Sequence, residues 1–190
     1  VFWKRDGRVV PYILQRINHD VFKQPIPLMG NIVRVTEQQR RVLEAEGATD
    51  LDRRALRLVP TQHGQWFFQD DDGNVWRVYL FIDRARSVEV IEHPDQAFEA
   101  ARAFGEFQKQ VAGIGGARLF ETIPNFHHTP KRFETFSQAV DQDACNRAKD
   151  VQAEIDFAMG FAGMTGQLVA QFEAGKLPER ITHNDTKVNN

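Results

Sequence analysis

Near the end of the chain, His183, Asp185, Lys187 and Asn190 follow one another in the order H-x-D-x-K-x-x-N. Those residue types at that spacing suit phosphoryl transfer. The reaction needs a group that orients the attacking hydroxyl, a metal that neutralises phosphate charge, and cations that offset charge in the transition state. In that scheme Asp185 accepts a hydrogen bond from the acceptor hydroxyl and takes its proton. Asn190 offers an amide oxygen to magnesium, a hard cation that prefers oxygen ligands. Lys187, two residues beyond Asp185, places an ammonium near the transferring group. His183 is read as structural, holding the loop through ring hydrogen bonds. The plain alternative is a polar surface loop that carries these residues by coincidence. Four fixed identities arise in a chain of this size with odds on the order of 10⁻³.

Other chemistry-bearing groups read more simply. His127 and His128 are adjacent, but no nearby Cys, Asp or Glu completes a zinc ligand set, so the pair is expected to anchor a loop. Asp70, Asp71 and Asp72 lack the alternating ligands and distal glutamate of a calcium loop and read as a solvated turn. Cys145 is the only cysteine. An intramolecular disulfide is therefore excluded and a reducing cytoplasm is expected. Its neighbours Asn146, Arg147 and Ala148 do not form a sulfatase maturation context.

The elements that must position the loop fall into two kinds. Val1 to Lys4 and Val9 to Ile17 flank Arg5-Asp6-Gly7-Arg8, and read as a hairpin. A second hairpin joins Gln65–Gln69 to Val75–Ile82 through Asp70-Asp71-Asp72-Gly73-Asn74, and Ala55 to Pro60 suits a further strand. Between the hairpins, Leu28, Ile32, Val35, Val42 and Leu43 line one face of a helix from about Pro27 to Glu46, with Gly47 as its cap. From Pro94 onward the pattern is helical. Phe98, Ala101, Phe104, Phe107 and Val111 step by three and four, and the phenylalanines are expected in a core. A shorter helix spans about Lys131 to Val140, and a long one about Asn146 to Glu173.

These patterns predict an α+β fold of two unlike lobes. One is an antiparallel sheet with one helix (residues 1–83), the other a helical lobe (84–190) ending in the loop. The boundary lies near Ile82 to Val90, and a cleft at the join is a usual place for a ligand.

Composition narrows the partners. Of 190 residues, 42% are hydrophobic and 26% charged, with a formal net charge of -2, so the chain is of ordinary globular composition. No basic run points to nucleic acid. No stretch of about 20 apolar residues exists to cross a membrane. Lys4, Arg5 and Asp6 interrupt the first apolar residues, which does not read as a signal peptide.

Several segments carry a wider resemblance. Tyr12-Ile13-Leu14-Gln15-Arg16-Ile17-Asn18, Val21-Phe22 and Leu28-Met29-Gly30-Asn31-Ile32 resemble the N-terminal lobe of N-acetylhexosamine 1-kinase-like proteins, of the aminoglycoside phosphotransferase superfamily. Trp76-Arg77-Val78-Tyr79, Glu121-Thr122-Ile123-Pro124-Asn125-Phe126-His127 and Thr182-His183-Asn184-Asp185-Thr186-Lys187 resemble them too. The resemblance implies a protein-kinase-like fold and phosphorylation of a sugar hydroxyl, the anomeric one of an N-acetylhexosamine, dependent on ATP and magnesium. It implies a phosphate-binding cation on the second strand of the first hairpin. Arg16, on the same strand face as Tyr12 and Leu14, is the candidate, with Gln15 the other register. Glu37 is a poor candidate for its helix partner. Tyr79-Leu80-Phe81-Ile82-Asp83 resembles a hinge, in which Phe81 and Ile82 would border the adenine. Enzymes of this kind carry a glycine-rich loop before these strands and a magnesium-binding aspartate after the catalytic loop. Neither occurs here, so the chain is expected to be an internal portion of a longer kinase, incomplete at both ends and inactive alone. A kinase-fold binding module that transfers no phosphate is the alternative. Another acceptor, such as an aminoglycoside, choline or homoserine, is a third reading.

Overall fold

In the computed structural model, residues 1–5 and 7–187 are described. Asp6, in the expected first turn, and Asn190, the expected magnesium ligand, lie outside the described residues. Four strands form one antiparallel sheet: β1 (Phe2–Arg5), β2 (Arg8–Arg16), β3 (Phe68–Gln69) and β4 (Val75–Leu80), in the order β1-β2-β4-β3. One long helix, α1 (Pro25–Ala45), and a single short turn, α2 (Leu51–Arg54), stand between β2 and β3. After the sheet come α3 (Pro94–Val111), α4 (Thr129–Gln142), α5 (Gln152–Met159) and α6 (Gln167–Glu173). The chain is thus a mixed α+β protein. Among the described residues, no helix is long and apolar enough to cross a membrane.

The register of β2 against β4 settles which side chains share a face. Ile13 faces Tyr79, Leu14 faces Val78, Gln15 faces Arg77 and Arg16 faces Trp76. Alternation therefore gathers Ile13, Gln15, Val75, Arg77 and Tyr79 on one side, and Tyr12, Leu14, Arg16, Trp76 and Val78 on the other. Helix α1 covers the first side. Met29 from α1 closes a core with Ile17, Leu58 and Val75, and Leu28, Ile32, Trp66, Phe67 and Tyr79 pack around it. The second side is also apolar but open, with Trp3 66%, Leu14 48% and Phe68 59% exposed. It forms a groove of about 740 Å³ whose lining includes Tyr12, Trp76 and Val78.

Helix α1 begins at Pro25 because prolines at 25 and 27 fit a first turn, where no intrahelical N–H is needed. It ends as Gly47 suggests. Gly47 takes φ +76°, its N–H reaches Glu44 O at 3.0 Å, and Ala48 N–H reaches Leu43 O at 3.0 Å. That pair of bonds is the Schellman closure, which a left-handed glycine makes cheap. Helix α3 packs on α1 through polar contacts. Gln38 Nε2 donates to Gln110 O at 3.3 Å, Gln39 Nε2 donates to Gln110 Oε1 at 2.9 Å, and Lys109 pairs with Glu46 at 2.9 Å.

Some expected elements differ. The segment Ala55–Pro60 makes one bridge, Leu58 to Tyr79, steadied by Val59 N–H to Val78 O and Leu80 N–H to Arg57 O. Of Gln65–Gln69 only Phe68 and Gln69 pair, because Trp66 and Phe67 turn toward the core. Strand β4 stops at Leu80 rather than Ile82. The long helix expected over Asn146 to Glu173 is broken into a 3₁₀ turn (Ala148–Val151), α5, a second 3₁₀ turn (Ala162–Met164) and α6. Gly160, Gly163 and Gly166 fall in or beside the breaks. Each costs a helix up to about 1 kcal/mol relative to alanine, and three in seven positions outweigh the apolar period. Phe98, expected in a core, is 66% exposed.

The chain divides into two compact units. One holds residues 1–122 and the segment from Ile181 onward, and the other holds Ile123–Arg180. The first therefore keeps α3 and the Asp185 loop together with the sheet, a different partition from a line drawn at residue 83.

Candidate active site

In the first unit, the segment from Ile181 reaches its place through His183. The imidazole meets the Phe104 ring at 5.2 Å and the Phe107 ring edge-on at 5.8 Å, both on α3. Among the described residues, ring packing rather than the expected hydrogen bonding holds this residue. The three-residue step from Phe104 to Phe107 puts both rings on one helix face, so the periodicity of α3 builds the seat. Thr182 Oγ1 donates to Asn184 Oδ1 at 2.6 Å and shapes the turn before Asp185. Lys187 Nζ then lies 3.3 Å from Asp185 Oδ2, and both side chains are exposed. An exposed pair of this kind contributes little to stability. Chemically, it sets a proton acceptor and a cation side by side.

The sheet carries the other expected residues. Arg16 lies on the face away from α1, where its Nη1 donates to Asn74 Oδ1 at 3.1 Å. Asn74 is part of the turn that joins β3 to β4. Gln15 is on the α1 side, and its Oε1 accepts from Arg77 Nε at 2.9 Å and Nη2 at 2.7 Å. The Arg77 guanidinium also lies 5.5 Å from the centre of the Tyr79 ring. Burial pulls its pKa below the ordinary arginine value, and Tyr79 only partly opposes this. Arginine still keeps its charge under such a shift. Glu37 on α1 is exposed, and among the described residues it makes no ion pair with Arg16 or Arg77.

Phe81 and Ile82 follow β4 directly. Phe81 N–H donates to Pro11 O at 3.2 Å, and its side chain is exposed while Ile82 is half-buried. Asp83 is tied to α2 by Arg53, whose Nη1 donates to Asp83 O at 2.7 Å and lies 3.0 Å from Oδ1. Asp52, also on α2, accepts from Arg40 and Arg57 at 2.9 Å each. Burial works against its ionisation, and hydrogen bonds from Arg57 and Arg40 outweigh that, holding its pKa below the usual carboxylate range.

Helix α1 holds the chain beyond α3 as well. Asn31 Nδ2 donates to Phe120 O at 2.7 Å while Phe120 N–H donates back to Asn31 Oδ1 at 2.9 Å. Arg34 Nη2 donates to Gly115 O at 3.0 Å and Ala117 O at 2.8 Å. Gly116 has φ +94°, and a Cβ there would stand 3.4 Å from Arg34 Nη2. The exchange at Phe120 mimics a strand pair and needs an amide side chain, which gives Asn31 a structural task.

Among the described residues no group of three His, Cys, Asp or Glu side chains stands close enough to hold a metal ion, and Asp185 already has Lys187 beside it. On the α1 side of the sheet the half-buried Arg77 is held by a neutral amide and, among the described residues, by no carboxylate.

In the second unit, His128 caps α4 by accepting from Lys131 N–H at 3.3 Å, and His127 packs edge-on against Phe126 at 4.8 Å. Both serve the loop. Beside them a pocket of about 420 Å³ is lined by Asn125, Phe126, Lys131, Glu134, Thr135 and Gln138, among others. Arg132 lies 5.3 Å from the Phe126 ring centre. No family model matches the chain.

Sequence reasoning missed Arg77 because its strand face depends on its register with β2. The signal was the alternation Val75, Arg77, Tyr79, in which a cation interrupts the apolar side of a strand.

Proposed function

We propose that this chain belongs to an ATP-dependent phosphotransferase of protein-kinase-like two-lobe fold, acting on a small-molecule hydroxyl, the anomeric hydroxyl of an N-acetylhexosamine. The observation that carries this is the Asp185 loop. His183 seats it on α3, in the same compact unit as an antiparallel sheet with a long helix between its hairpins, and it presents Asp185 and Lys187 together to solvent. A four-stranded antiparallel sheet with one long helix supports the N-terminal lobe arrangement that the sequence resemblance implies.

On this reading Asp185 accepts the acceptor hydroxyl's proton as its oxygen bonds to the γ-phosphorus and the bond to the β-phosphate oxygen breaks. Lys187 offsets negative charge on the transferring group. The connector at Phe81 and Ile82 borders the adenine. A bound magnesium ion would neutralise phosphate charge.

The test is transfer from ATP to N-acetylglucosamine and N-acetylgalactosamine by the intact protein that carries these residues, followed by ³¹P NMR of the sugar 1-phosphate. Asp185→Asn should lower turnover by about 10²- to 10⁴-fold with the melting temperature unchanged. Undiminished turnover in that variant would sink the mechanism. Nucleotide binding without transfer to any of a panel of hydroxyl acceptors would favour a kinase-fold binding module instead.

A further inference from the structure

We infer that Arg77, oriented by Gln15, is the cation that binds the phosphates of a nucleotide triphosphate, and that Arg16 is not. The inference rests on the phosphotransferase reading for the identity of the ligand, and on the sheet geometry for the residue. In a kinase the strand cation works by facing the helix that packs on the sheet, since it is fixed by a partner from that helix. Arg16 faces away from α1 and is engaged by Asn74 in a turn. Arg77 lies across from Gln15 on the α1 side, on the neighbouring strand.

Three observations point to an anion at Arg77. The side chain is half-buried, yet among the described residues it makes no ion pair with a carboxylate. A desolvated guanidinium with only neutral partners is costly, and an anion relieves that cost. Its Nε and one hydrogen of Nη2 go to a single oxygen, Gln15 Oε1, which fixes the plane and leaves Nη1 to donate elsewhere. A planar fork held in this way matches phosphate bidentately, which lysine cannot do. Arg77 and Tyr79 also alternate along one side of β4, which runs toward the connector at Phe81.

The experiment is calorimetric binding of inorganic tripolyphosphate, ATP and adenosine to the intact protein, with R77Q, R77K and R16Q. R77Q is expected to weaken tripolyphosphate and ATP about 10- to 100-fold while leaving adenosine unchanged. R77K should recover part of the loss, and R16Q should bind all three like the wild type. The wild-type protein provides a second readout without any substitution. Saturating tripolyphosphate should slow phenylglyoxal modification of Arg77, located by peptide mapping, in case R77Q fails to fold. Wild-type affinity in R77Q, unprotected Arg77, or a loss confined to R16Q would overturn the assignment, as would a wild-type protein that binds no tripolyphosphate. Phosphotransfer that survives intact in R77Q overturns the assignment but spares the phosphotransferase reading. Protection of Arg77 without any ATP-dependent transfer does the reverse.

Discussion

Asp70 gathers its donors around one carboxylate. Trp76 Nε1 reaches it at 2.8 Å, Asn74 N–H at 2.7 Å, and Asn74 Nδ2 at 3.1 Å. The bond from Trp76, with those from Asn74, holds its pKa below the usual 3.8 despite some burial. The folded-state pKa is lowered, so the carboxylate stabilises the fold above its unfolded value, and that stabilisation is lost as pH falls through the folded value. Asp70→Ala should therefore lower the urea midpoint at pH 7, and the gap from wild type should close as pH drops below about 4. A gap that stays constant down to pH 2 would show that the carboxylate's charge is not what matters. The same turn explains Arg16, because Asn74 spends one amide group on Asp70 and offers its oxygen to that arginine. The cation singled out by type on β2 is thus occupied with local structure.

At the scale of elements, α1 joins three parts of the first unit. Its apolar side meets the sheet through Met29, its glutamines meet α3, and Asn31 with Arg34 holds the chain from Gly115 to Phe120. Asn31→Ala removes both bonds at Phe120 and should cost about 1–2 kcal/mol, with faster hydrogen exchange at the Phe120 amide. Unchanged exchange there would mean the segment is held by other contacts. Helix α1 was legible in the sequence because its signals are local: prolines at one end, Gly47 at the other and an apolar stripe between. The β2 and β4 strands were legible for the same reason. The broken helices after Ala148 were not, since Val151, Ile155, Ala158 and Ala162 keep a helical period although Gly160, Gly163 and Gly166 interrupt the helix after α5. Four-residue α2 is too short for any period to show. The loop at Asp185 was legible by residue type, while its seat on Phe104 and Phe107 was not. Nor was the face of Arg77, because both depend on contacts between residues far apart in sequence.

The whole molecule divides its core unequally. Ile17, Met29, Leu43, Ala55, Leu58, Val75 and Val111 are all buried in the first unit. Among the described residues of the second, Ile155 is the one buried apolar side chain, while Phe157, Phe161, Met164, Leu168 and Phe172 are exposed. A unit of about 60 residues is marginal even with a full core, since it buries only about 60% of the surface its unfolded chain exposes. Broken helices of seven or eight residues add little by themselves, as isolated helices shorter than about 12 residues are marginal in water. Residues 123–180 made alone should therefore melt without a cooperative transition and bind a hydrophobic dye such as ANS. Residues 1–122, with α1 seated on the sheet, should keep a cooperative melt. The Asp185 loop belongs with that stable unit by contact although it follows the weak one in sequence. A sharp, reversible melt of 123–180 in isolation would show that a core far smaller than usual suffices. Cleavage between Thr122 and Ile123, with both pieces kept in one tube, separates the two cases further. If the first unit supports the loop's position, the ring contacts of His183 should survive the cut, and its proton chemical shifts should remain those set by Phe104 and Phe107.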